Sequence, residues 1–131
     1  MQSAKCKVQN DGRPAQQDLT VRTKRFALRV IRLYAALPKS NEAQAIGKQL
    51  LRCGTSVGAQ YCEAECARSV AEFISKLGGA RQESRETMYW LELLMEAGIL
   101  PHTRLADFYD ESKQLFAKLT AIINTARRRR K

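Results

Sequence analysis

Histidine is nearly absent from this chain: His102 is the only one in 131 residues. A two-histidine metal site and a serine, histidine and acid triad are therefore excluded within one copy. Glycine is sparse as well, and Gly78-Gly79 falls in a helical pattern with no strand before it and no GKS or GKT after it, so nucleotide hydrolysis has no support. No run approaches the ~20 apolar residues of a membrane span. The opening stretch MQSAKCKVQNDGRPAQQ lacks an apolar signal core, which places the expected site of action in the cytoplasm with no membrane partner. In that reducing setting Cys6, Cys53, Cys62 and Cys66 are expected to stay free thiols, with no disulfide framework. Cys62 and Cys66 stand one helical turn apart, but no further ligands accompany them, so no metal is expected. Glu83, Glu86, Glu92 and Glu96 form a carboxylate set whose two pairs point to different sides, without the Glu-x-x-His of a di-iron bundle. The expectation is no enzyme and no cofactor.

Acidic residues are the other shortage. Thirteen Asp and Glu stand against 23 Lys and Arg, giving a formal charge of +10. That balance favours a polyanionic partner, nucleic acid ahead of an anionic membrane. The length suits one domain, and an apolar content of 44% supports an ordinary core without staples.

Residues 1–17 hold almost no large apolar side chains and read as a mobile arm. From Asp18, Phe26, Val30, Leu33 and Leu37 recur at helical spacing until Pro38 stops the pattern. Ile46, Leu50, Cys53, Val57, Tyr61 and Ala64 mark a second helix, which passes through Gly54 and Gly58 without losing register. Small residues there suit a close helix crossing better than a loop. Ser69 and Glu72 have capping-box spacing and open a third helix, carried by Val70, Phe73, Leu77, Ala80, Ser84, Met88, Leu91 and Met95 to Gly98. After Pro101, Leu105, Phe108, Ser112, Leu115, Leu119 and Ile122 sustain a fourth helix to about Ala126. No segment alternates like a strand, and short links make successive helices antiparallel. The expected fold is all-α, an up-down-up-down four-helix bundle over 18–126, followed by a basic tail, 127–131.

The positive charge is concentrated. Residues 18–41 carry six basic residues against one acid, and 127–131 are all basic. At 100° per residue Arg22, Arg25, Arg29 and Arg32 share one narrow stripe beside the apolar face, where they are placed to follow a phosphate backbone. With Arg127, Arg128, Arg129, Arg130 and Lys131 they are the candidate nucleic-acid contacts. A solvated helix face is the plainer alternative. The third helix has net negative charge, and its Glu83, Glu86 and Trp90 lie on one stripe about 100° from the core face. A tryptophan there points either to a subunit interface or to a ring folded onto the bundle edge.

Residues 18–100 resemble the four-helix-bundle family of bacterial 23S rRNA intervening-sequence proteins, most specifically in QLLRCGTSVGAQY, AEFISKL and ETMYWLELLMEAG. The accessory protein of diversity-generating retroelements, which assists a reverse transcriptase, is similar at a greater distance. The resemblance implies a cyclic homopentamer, basic surface used for RNA or DNA, and no catalytic site. It also admits a second role, an accessory adaptor that binds a reverse transcriptase and its RNA template. The family commonly has serine where Cys53 stands and asparagine where Gln60 stands.

Overall fold

A computed structural model of the chain describes residues 14–130, and the side chains of residues 19–129. It contains four helices, α1 (Pro14–Ala36), α2 (Asn41–Glu65), α3 (Val70–Glu96) and α4 (His102–Arg130), and no strand among the described residues. Contacts between successive helices pair residues in reverse sequence order. Gly54 and Gly58 of α2 meet Val30 and Thr23 of α1. Lys76 and Glu86 of α3 meet Glu63 and Arg52 of α2, and Tyr109 of α4 meets Glu92 of α3.

Local chemistry sets the helix boundaries. The described part of α1 begins at Pro14, a residue type favoured in the first turn of a helix, where a missing N–H costs nothing. Residues 14–17, read from sequence as arm, therefore belong to α1; residues 1–13 lie outside the described part. Ser40 caps α2 by accepting from the Ala43 N–H at 3.3 Å. Ser69 caps α3 by accepting from the Glu72 N–H at 3.0 Å, while Glu72 reaches back to the Arg68 N–H. Gly98, at φ 71°, ends α3 in the left-handed region, and the Ile99 N–H donates back to the Leu94 carbonyl. At the far end α4 does not stop near Ala126. It runs on through Arg127–Arg130, because arginine is a good helix former and cations are favoured where the helix dipole is negative. Most of the expected tail is thus helix, with Lys131 outside the described residues.

α2 is unbroken through both glycines, as its apolar register requires. The core runs the length of the bundle through Phe26, Val30, Leu50, Val57, Leu77, Leu91, Leu115 and Leu119, all at 1% exposure or less. In α3 the buried residues are Ile74, Leu77, Ala80, Ser84, Thr87, Met88, Leu91 and Leu94, which recur at three and four residues along one face, with Met88 beside Thr87. Leu94 therefore takes the place expected for Met95, which is half-buried, and Val70 lies exposed at the helix end. Ile123 likewise replaces Ile122 in the core of α4.

The polar residues in this core are small. The Thr87 hydroxyl donates to the Glu83 carbonyl at 2.7 Å and lies 3.3 Å from the Cys53 sulfur. Burial pushes the Cys53 thiol up, opposed by the Thr87 contact. Cys53 and Cys62 are free, whereas Cys66 at the exposed end of α2 takes part in a disulfide. That corrects the expectation that every thiol is free; an exposed sulfur at a helix end is open to a second thiol.

Candidate nucleic-acid interface

The four arginines of the α1 stripe have separate fates. Arg22 is held by Glu111 of α4, with Nε and Nη2 donating to the two carboxylate oxygens at 3.0 and 2.7 Å, and it also reaches Gln114. Its side chain is 14% exposed. A guanidinium satisfied in this bidentate way serves the α1–α4 contact. Arg25 and Arg32 are exposed. Arg29 is half-buried and its guanidinium carbon lies over the Phe108 ring, 4.5 Å from its centroid. Arg25, Arg29 and Arg32 form no ion pair with any described carboxylate.

Charge count and helical geometry do not find Arg104. It stands on the first turn of α4, exposed, and lines one groove with Arg29, Arg32, Leu33 and Phe108. Its α1 neighbours in that groove come from 71 and more residues away in sequence, so only the fold brings them together.

The second basic element is elsewhere. Arg127, Arg128 and Arg129 are exposed on the last turn of α4. Counting 1.5 Å per residue from Arg104 gives a separation of about 35 Å along α4. That is some four Debye lengths at physiological salt, so within one copy the two elements do not form a single patch.

Glu83, Glu86 and Trp90 do converge. Arg52 of α2 reaches between the two carboxylates, 3.4 Å from Glu83 and 2.5 Å from Glu86. The Trp90 Nε1–H donates to Glu86 Oε2 at 3.0 Å. The indole is half-buried against the core, and Tyr89 packs edge-on to it at 5.0 Å. Tyr89, 51% exposed, is the aromatic that faces outward. On α1, Val21, Leu28 and Ile31 are also exposed, at 44 to 47%.

Among the described residues no three His, Cys, Asp or Glu side chains stand close enough to hold a metal ion. No described helix is long and apolar enough to cross a membrane.

The comparisons agree with these particulars of sequence and fold. No protein of curated function matches the chain. The crystal structure of a protein of unknown function from the S23 ribosomal protein family of Bacteroides thetaiotaomicron is similar, at 35% identity and a TM-score of 0.79, over 84% of this chain and 98% of that one. The family model described as 23S rRNA-intervening sequence protein matches residues 16–121. With its four helices, its unbroken glycine-bearing α2 and this match over most of its length, the chain belongs to the 23S rRNA-intervening sequence protein family.

Proposed function

We propose that the protein is a non-catalytic, nucleic-acid-binding bundle, its helices antiparallel in up-down-up-down order, acting in the cytoplasm as a cyclic homopentamer. The observation that carries the binding is the set of arginines without carboxylate partners among the described residues, Arg25, Arg29, Arg32 and Arg104, beside an Arg22 that the same fold does neutralise. The reverse-order helix contacts support the topology. Exposed apolar groups on two different faces, Tyr89 on α3 and Val21, Leu28 and Ile31 on α1, suit the head-to-tail contacts from which rings close. Five copies of a +10 chain give about +50 before screening, enough to concentrate RNA or DNA around the ring.

Specificity for sequence is expected to be low. Phosphate contacts position a protein without reading bases, and α1 offers no exposed aromatic for stacking. Binding of single-stranded and duplex RNA and DNA, measured by fluorescence anisotropy from low to high salt, tests this reading. Tight binding at low salt that falls steeply as salt rises supports it, and no binding at low salt refutes it.

A second reading rests on the Tyr89 and Trp90 surface: an adaptor that holds a protein partner, a reverse transcriptase with its RNA template. A neighbouring reverse transcriptase gene with template and variable repeats favours the adaptor. A reading frame lying inside a ribosomal RNA gene favours the first role.

A further inference from the structure

We propose that Arg29, Arg32 and Arg104 form a discrete phosphate-binding subsite at the seam of α1 and α4, which takes one phosphodiester of a nucleic-acid strand. The inference rests on the nucleic-acid reading above and names the place where the contact is built rather than diffuse.

The groove is floored by Phe108, which is 6% exposed and braced edge-on by Phe26 at 5.7 Å. The Arg29 guanidinium lies on that ring. This cation–π contact holds the head group over the ring while its N–H groups remain able to reach an acceptor. Yet Arg29, half-buried, makes neither an ion pair nor a hydrogen bond to any described side chain. A partly desolvated guanidinium without a protein acceptor is less favourable than one that has an anion beside it. Two turns earlier on the same stripe, Arg22 has its acceptors in Glu111 and Gln114, so the fold can supply partners where an arginine is structural.

Two further cations aim at the same space. Arg32 follows Arg29 by one turn of α1, and Arg104 comes from the start of α4. Neither has a carboxylate partner among the described residues, and Asp107, one turn on from Arg104 in α4, pairs with none of the three. Three like charges around one groove repel unless an anion sits among them. The first turn of α4 also holds no acidic residue, so the positive end of its dipole stays uncompensated on this side. A phosphodiester oxygen pair fits this donor set, because guanidinium forks engage phosphate through parallel hydrogen bonds.

The test compares Arg104→Gln with Arg68→Gln in the full chain, each removing one charge. Arg68 is 90% exposed and lies in the α2–α3 link, outside the groove. Circular dichroism of both variants verifies the fold. Against a fluorescent single-stranded RNA, affinity is expected to fall about tenfold for Arg104→Gln and about twofold or less for Arg68→Gln, with Arg104→Lys recovering only part. Equal falls for Arg104→Gln and Arg68→Gln overturn the subsite while leaving nucleic-acid binding intact. Inorganic pyrophosphate, titrated while the arginine Nε–H signals are followed by NMR, provides an arm independent of RNA. Shifts confined to Arg29, Arg32 and Arg104 support the subsite even if RNA fails to bind, in which case the functional reading falls alone. Uniform or absent shifts overturn it. Binding to phosphatidylglycerol vesicles that depends on Arg104, without binding to RNA, assigns the phosphate to a lipid and overturns the proposal as stated.

Discussion

Gly58 lies so close to Thr23 that a Cβ built on the glycine stands 3.1 Å from the Thr23 hydroxyl oxygen and 3.4 Å from its carbonyl carbon. Thr23 is 2% exposed and its hydroxyl donates to the Leu19 carbonyl at 2.8 Å, so it has no room to turn away. Gly58→Leu should therefore overpack the α1–α2 crossing at a cost of about 1 to 3 kcal/mol, more than the gain of about 1 kcal/mol in helix propensity. Gly78 is the control. No atom lies within 4 Å of a Cβ built there, and Gly78→Ala should stabilise the protein by up to about 1 kcal/mol. Thermal melts should thus shift in opposite directions; a rise for both would remove the close crossing from the account.

Arg22 is predicted to matter for stability and little for binding. Replacing it with glutamine leaves Glu111, 22% exposed at its side chain, without its guanidinium. Removing these charge-assisted hydrogen bonds should cost about 1 to 3 kcal/mol, reduced by the partial exposure. Urea denaturation reports the cost, and RNA affinity of the folded variant should stay within about twofold of wild type. A large drop in affinity at unchanged stability would return Arg22 to the binding set.

The helices are legible in the sequence because apolar spacing and caps record them directly: Phe26 to Leu37 for α1, the register kept through Gly54 and Gly58, and Ser69 with Glu72. Periodicity fails where a polar residue occupies a core position. Thr87 is buried because its hydroxyl is satisfied by its own helix, and a search for apolar spacing steps past it to Met88. The site is less legible. Helical geometry gathers Arg22 with Arg29 but carries no information about α4, whose Glu111 neutralises the first and whose Arg104 joins the second. Trp90 shows the same limit, since the Arg52 that occupies Glu83 and Glu86 comes from α2.

Buried Cys53 makes a prediction about pH and reactivity. Because burial raises its folded value above the ordinary thiol range, the native protein holds this proton more tightly than the unfolded chain. The resulting stabilisation is complete below the ordinary thiol value and is lost as pH rises through the folded one. Cys53→Ser should fold and show less decline of stability at alkaline pH. Under native conditions at pH 8, iodoacetamide should modify exposed Cys62 well before Cys53, as read by mass spectrometry of peptides. Equal rates would show that the Cys53 site opens readily.

Tyr89→Ala should weaken assembly more than it unfolds the protomer, because truncating an interface aromatic can cost about 2 kcal/mol or more. Trp90→Ala, which removes a ring packed against the core, should lower both helicity and assembly. Light scattering and circular dichroism on the same samples separate the two effects. Wild type running as a 14.8 kDa monomer at micromolar concentration would contradict the ring.

The most direct test of phosphate-led binding is the slope of log affinity against log salt for three proteins. These are wild type, a variant with Arg25, Arg29, Arg32 and Arg104 changed to glutamine, and a chain ending at Ala126. Glutamine is a good helix former and the deleted segment is the exposed end of α4, so both variants should fold. The slope should become shallower by roughly 0.7 to 0.9 for every phosphate the variant no longer neutralises, with affinity falling for every sequence alike. The two effects should add, since the elements stand about 35 Å apart along α4. Unchanged affinity and slope in both variants would mean that the positive charge is only solvated surface, and the nucleic-acid account would be wrong.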